Sequence, residues 1–335
     1  MKRRWSYLIC AWFCVFPARA FSAFYEVREV HYQMGTFLEL TLWHPEPETA
    51  TRMIRERIQE VHRLEEILSN FDPDSSVSQL NQRAGKGKTN IPSELYELLQ
   101  MAQRFSVETL GDFDVTVGPL MQLWRQSSAH GRLPERGGLA TALALVGYEK
   151  LKLYDSRDAE LLLPGMQIDL GGIGKGFAVD RIARQLKAAG VGSALINFGG
   201  SSIFALGAPP GKQSWEIGIQ DTRGRLRGVI HLRDTALSTS GSMGQFWTIG
   251  GKKYGHLIDP KNGLPVSASR MATAIAWNAT LAEALTKPLV LRGKDALRTV
   301  ARLPGREAMI ISAQGPLRFS QGFKSETRWR EIPIP

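Results

Sequence analysis

The 335-residue chain carries 42 Lys and Arg against 32 Asp and Glu, for a net charge of +10. The cations form no block that would track a nucleic-acid backbone, and no nucleic-acid partner is expected; beyond the N-terminus no apolar stretch is long enough to span a bilayer. Both cysteines, Cys10 and Cys14, lie at the extreme N-terminus, which excludes a disulfide or a cysteine metal site from the rest of the chain.

The N-terminus has the order of a secretory signal. Lys2, Arg3 and Arg4 precede an apolar run from Trp5 to Phe16, Pro17 breaks it, and Ala18-Arg19-Ala20 supplies small residues for a signal peptidase. At about 12 residues the run is too short to span a bilayer as a helix. The pattern predicts a signal at 1–20, export to the periplasm and one domain over 21–335. Neither cysteine follows a lipoprotein cleavage pattern, so no lipid anchor is expected. Removing residues 1–20, which hold four cations and no acid, takes the net charge from +10 to about +6. That mild excess suits an anionic ligand or proximity to the inner membrane.

Further along, Leu38 to Trp43 has strand composition. Ala50 to Leu68 reads as an amphipathic helix, with Met53, Ile54, Ile58, Val61, Leu64 and Ile67 at helical spacing. Ser93 is expected to cap a second helix over Glu94 to Leu110. The polar stretch from Ser127 to Gly138 reads as a loop. Short strands are expected around Leu161–Ile168 and Trp215–Leu237. A third helix is predicted from Gly176 to Ala189, a fourth from Thr280 until Pro288 disturbs it, and a fifth from Asp295 to Leu303. Helices and strands mix without a βαβ repeat, which places the chain in the α+β class.

Three segments concentrate possible chemistry. Ile168 to Asp180 reads IDLGGIGKGFAVD, with four glycines in the six residues Gly171–Gly176 that lead into a helix start. Backbone amides there, with Lys175 beside them, suit a phosphate. It is not a Walker A loop, because Gly176 stands where Ser or Thr is required. Gly111 to Leu120 holds Asp112 and Asp114, which would share one side of an extended segment. The third segment pairs a hydroxyl-rich turn, Ser238-Thr239-Ser240, with His256 just before the turn Asp259-Pro260-Lys261-Asn262-Gly263. His256 could be a general acid or base, or a structural residue.

Taken in order, Met34-Gly35-Thr36, Asn70-Phe71, Ser78 to Asn81, Gly111 to Leu120, Trp124, Ile168 to Asp180, Asn197 to Gly200, Thr239 to Gly241 and His256 to Pro260 resemble the motifs of the ApbE family of FAD:protein FMN transferases. The resemblance implies one α+β domain with a deep FAD cleft between two intimate subdomains. It puts Met34, Phe71, Asp112, Phe113, Asp114, Asp169, Lys175 and Leu257 at FAD-contact positions, and makes His256 and Lys175 the catalytic candidates. It implies transfer of FMN from FAD to a threonine of an exported flavin domain of a membrane redox complex, with AMP leaving. It also implies Mg²⁺, held by the Gly172 carbonyl, an Asp and a Thr. Here Glu283 stands at the Asp position and Lys287 at the Thr position, and an ammonium has no lone pair for a metal. Ser201 likewise replaces an acid or amide. Three arrangements are open: Lys287 swings away and Mg²⁺ binds with Glu283; Lys287 replaces the ion as a fixed cation; or the chain binds FAD without transferring it.

Overall fold

Alternation in the first strands sets the architecture. Leu38, Leu40 and Leu42 are fully buried on one face of their strand, as the period of two requires. A computed structural model describes residues 23–242, 245–266, 269–300, 304–312 and 316–333. The predicted signal at 1–20 and the end of the fifth predicted helix, 301–303, lie outside the described residues.

The main sheet has eight strands. They are β1 (Tyr25–Gln33), β2 (Thr36–His44), β3 (Ser193–Phe198), β4 (Ser202–Gly207), β5 (Thr235–Gly241), β6 (Arg270–Ala276), β7 (Glu307–Ser312) and β8 (Arg318–Phe319). Each pairs antiparallel with its neighbours in this same order. The chain thus builds one continuous sheet and inserts its helices between strands. The tightest link is Met34-Gly35, where both residues have positive φ (46° and 76°), as a two-residue hairpin turn with right-handed strand twist favours.

The inserted helices are α1 (Pro47–Leu68), α2 (Ser76–Gln82), α3 (Ser93–Glu108), α4 (Gly118–His130), α5 (Arg136–Ala144), α6 (Gly174–Ala188), α7 (Ala279–Arg292) and α8 (Lys294–Val300). On one sheet face, Ala236, Ala272, Ala274, Ala276 and Ala308 join the core beneath α6 and α7. Their small side chains let α7 lie close to β5 and β6. Their strand neighbours Leu237, Ile275, Met309 and Ile311 point to a second core, shared with Trp215, Ile217 and Ile230 of a smaller sheet. A third cluster joins Leu120 and Trp124 of α4 to Ile249 and Ile258. The α+β expectation is met. No helix of the described residues is long and apolar enough to cross a membrane.

Several boundaries differ from the sequence reading. The stretch 127–138 is not one loop: α4 runs to His130, stops at Gly131 in the left-handed conformation, and α5 begins at Arg136. The α4 stripe Leu120, Trp124 and Ser127 is buried, and that packing outweighs the polar composition of its last turn. Ser93 does not cap α3; Pro92 occupies the cap position and makes no side-chain cap bond. The hydroxyl run 238–240 is strand β5, because it pairs residue for residue with β6. Helix α7 passes through Pro288 to Arg292. The Asn278 side chain caps its start, and its burial between α6 and the sheet offsets the lost hydrogen bond.

Candidate active site

The glycine segment is held from behind. Asn70 Nδ2 donates to the Ile168 carbonyl at 2.5 Å, Asn81 Nδ2 to the same oxygen at 3.1 Å, and Ile168 N–H donates to Asn81 Oδ1. Leu170 N–H donates to Asn70 Oδ1 and Asp169 N–H to the Val115 carbonyl. Two asparagines from the α1–α2 region therefore clamp the strand-like lead-in, which frees Gly171–Lys175 to turn into α6.

That turn offers fewer free donors than its glycines suggest. The Gly171 amide donates to Asp169, the Ile173 and Gly174 amides to the Leu170 carbonyl, and the Gly176 amide to Glu283 Oε2 at 2.6 Å. Among the described residues this leaves the Gly172 and Lys175 amides for a phosphate, a narrower cradle than the sequence predicts.

Glu283 explains the difference. Its carboxyl is buried and reaches from α7 to the N-terminus of α6, a favourable end for a negative charge. Its Oε1 meets Lys175 Nζ at 3.1 Å, and Lys287 Nζ lies 4.0 Å from the same oxygen. Burial opposes the charge of Glu283, but Lys175, Lys287 and the Gly176 amide outweigh it and hold the carboxyl below its usual range. Lys287 also donates to the Glu283 carbonyl at 2.9 Å. Burial pushes Lys287 down to about 8, with Glu283 opposing and Lys175 adding to the shift. Its Cε lies 3.1 Å from the point a Cβ on Gly172 would occupy.

These residues do not fit a magnesium ion. Both Glu283 oxygens face protein donors, and an ammonium stands beside Gly172 where a third oxygen ligand is needed. The hydroxyl of Thr286, next to Lys287, donates to the Glu283 carbonyl and bonds Ser240 Oγ at 2.7 Å.

His256 faces the same locus. Its Nδ1 lies 3.0 Å from the Gln245 carbonyl, which can only accept, so Nδ1 carries the hydrogen and Nε2 keeps a free lone pair. Burial lowers its pKa and the nearby Lys287 and Lys175 charges lower it further, against Gln245 and Asp169. The ring is therefore neutral at pH 7 and can take a proton at Nε2. Asp169 is raised by burial, with the Gly171 amide, Arg125 and His256 acting the other way. Arg125 lies over the Phe71 ring, 5.1 Å from its centroid, and Phe71 is 81% exposed.

The remaining predicted contacts separate. Asp112 and Asp114 do not lie on one strand, because residues 111–116 form bends and turns, and their carboxylates take different partners. Asp112 is bound by Arg292 at 2.8 Å and Lys261 at 2.7 Å. Asp114 is buried and accepts from Thr116 and the Tyr148 amide. Phe113 and Leu257 are buried, and Phe113 Cε2 lies 3.7 Å from the Gly172 Cβ position. Met34, on the β1–β2 turn, donates its amide to Glu65, and the adjoining Thr36 packs on Gly199.

Sequence reasoning missed Arg292, whose guanidinium joins Asp112 to Asp259 at 2.6 Å and so ties the end of α7 to the turn after His256. Nothing in its sequence neighbourhood marks it. Two surface grooves, of about 420 and 340 Å³, lie elsewhere and are lined by none of Lys175, His256 and Lys287.

Comparison with known proteins agrees with the resemblance. The ApbE family model matches residues 34–310. A FAD:protein FMN transferase of Treponema pallidum is 29% identical over 315 residues, covering 88% of this chain and 87% of the relative. That of Escherichia coli K12 is 25% identical, covering 84% and 83%. Among solved structures, the ApbE protein of Thermotoga maritima superposes with a TM-score of 0.79 at 29% identity, covering 90% of this chain and 98% of that one. The Vibrio cholerae flavin transferase ApbE gives a TM-score of 0.80 at 23% identity over 90% of this chain and 99% of that one, a likeness of fold. With the family match running from residue 34 to residue 310, the chain belongs to the ApbE family.

Proposed function

We propose that the chain is an FAD:protein FMN transferase. The observation that carries this reading is the meeting of Lys175, His256 and the unbonded Gly172 and Lys175 amides in a member of the ApbE family. Phosphoryl transfer is mostly positioning and charge neutralisation, which these groups supply. The acceptor threonine oxygen attacks the FMN phosphorus of FAD, the bond from that phosphorus to the bridging oxygen breaks, and AMP leaves. His256 Nε2 takes the hydroxyl proton. The loop amides and Lys175 hold the pyrophosphate oxygens. Phe71, Met34, Phe113, Asp112, Asp114, Asp169 and Leu257 are the proposed surroundings of FAD on the strength of the family resemblance, which implies a deep cleft between two intimate subdomains. No step here runs through a metal: Lys287 has no lone pair to offer one, and both Glu283 oxygens face protein donors.

Export and acceptor belong to the same proposal. Residues 1–20 have the order of a cleaved signal, and the periplasm would give access to exported flavin domains of membrane redox complexes at the inner membrane. The test is a transfer assay. The purified chain is incubated with FAD and an acceptor domain carrying a candidate threonine, and the acceptor's intact mass is recorded. A gain equal to bound FMN supports the reading. No gain on an acceptor that another family enzyme does modify, with FAD bound, reduces the chain to a flavin-binding protein.

A further inference from the structure

The row Lys175–Glu283–Lys287 has a buried anion between two part-exposed cations. The Glu283 side chain is 3% exposed, whereas those of Lys175 and Lys287 are 25% and 15% exposed. With one acid and two ammonium groups the row carries a single net positive charge. Lys287 is anchored rather than loose: its Cε packs on Gly172 and its Nζ donates to the Glu283 carbonyl. Among the described residues that carbonyl is its one hydrogen-bond acceptor, so two of its three N–H donors remain. They lie beside the glycine turn whose Gly172 and Lys175 amides are also unbonded.

We infer that Lys287 is the resident cation of this site, its ammonium fixed by Glu283 and standing in for a divalent metal against the phosphate oxygens of the bound dinucleotide. The inference rests on the flavin-transfer reading for the identity of that ligand. Three features carry it. Each Glu283 oxygen already accepts from a protein donor, Oε1 from Lys175 and Oε2 from the Gly176 amide. The space beside Gly172 is filled by the lysine stem. A divalent ion entering there would meet two ammonium groups for one carboxylate. A fixed ammonium supplies directional donors and a point charge to phosphate without a free metal ion.

The test is FAD affinity of the full chain, followed by fluorescence, in millimolar MgCl₂ and in EDTA. The wild type is expected to bind FAD equally well in both, within about twofold. Removing a charge-assisted contact in Lys287→Thr should weaken binding in EDTA by about tenfold or more, and Lys287→Arg should retain most of it. Magnesium that tightens wild-type binding by about tenfold overturns the inference, as does an unchanged affinity in a folded Lys287→Thr. The wild-type comparison decides even where that variant does not fold. A folded wild type that binds no FAD in either condition refutes the flavin reading itself and takes this inference with it.

Discussion

Asp180 sets the distance between the two helices on which the site depends. It lies on α6, is 8% exposed, and accepts the Ala279 amide at 2.7 Å, the Thr280 amide at 2.9 Å and the Thr280 hydroxyl, all at the start of α7. Burial pushes its carboxyl up to about 6 against these donors, so at pH 7 it is ionised at a cost. Asp180→Ala removes every acceptor and leaves two amides buried without partners, since Ala279 and Thr280 are fully buried. At roughly 1–2 kcal/mol for each amide, the expected loss of stability is about 2–4 kcal/mol. Asp180→Asn keeps one acceptor oxygen and sheds the buried charge but turns its amide NH2 toward one of the two N–H donors, so it should lose about 1–2 kcal/mol at pH 7, less than the Ala variant. The sign with pH follows from the raised native pKa. Between the unfolded value near 3.8 and about 6 the native state holds the extra proton, so wild-type stability falls as pH rises through that window and stays lower above it. Denaturant midpoints of the three proteins at pH 4.5 and pH 7 measure this. Equal midpoints for the Ala and Asn variants, or a wild type that gains on the Asn variant as pH rises, would refute the reasoning.

Other predictions follow from the same junction and its rim. A Cβ on Gly176 would sit 2.5 Å from the Ala279 carbonyl oxygen, so Gly176→Ala must part α6 from α7; a loss of about 2–3 kcal/mol and weaker FAD binding are expected in thermal unfolding and fluorescence titration. Phe71 is exposed and packs on Arg125, so Phe71→Ala should leave stability within about 0.5 kcal/mol while weakening FAD binding about tenfold; lost stability with unchanged affinity would place the ring in the core instead. For His256, with its native pKa below 6.5, the neutral ring's contribution is complete above pH 6.5 and falls away as pH drops toward the native value. The wild type should therefore lose stability relative to His256→Gln in acid, and a constant difference down to pH 5 would count against a buried neutral imidazole.

Periodicity revealed the long elements because their burial is one-sided. The α1 stripe Ile54, Val61 and Leu64 is fully buried, and α6 closes near its predicted glycine. The sheet order was not legible: β2, which ends at His44, pairs with β3, which starts at Ser193, across a long insertion of helices, and no local pattern encodes that pairing. Pro288 misled because the rule that proline ends a helix describes an exposed helix. Here Leu281, Ala282, Ala284, Leu285, Leu289 and Val290 are buried on α7, and tertiary packing carries the chain through the break.

The candidate site was legible as a set of residue types and not as a set of partners. Lys175, His256 and the glycine turn could be named from the sequence, because each is a local motif. The direction of the Glu283 carboxylate could not, because its partner, the Gly176 amide, lies 107 positions away. Helical spacing predicts an i,i+4 pair of Glu283 with Lys287, yet that contact is the longer one at 4.0 Å, and the carboxylate turns to Lys175 at 3.1 Å. The extra methylene of glutamate explains the choice: it carries the carboxylate across to the start of α6, a reach that an aspartate on the same turn falls short of by one C–C bond, about 1.5 Å. Once the acid is drawn there, the space beside Gly172 is left without an anion, and the stem of Lys287 fills it. Glu283 and Lys287 are therefore one substitution in physical terms. Lys287→Thr alone would take the row from one net positive charge to none, whereas Glu283→Asp alone would keep that charge and draw the carboxylate back from the Gly176 amide.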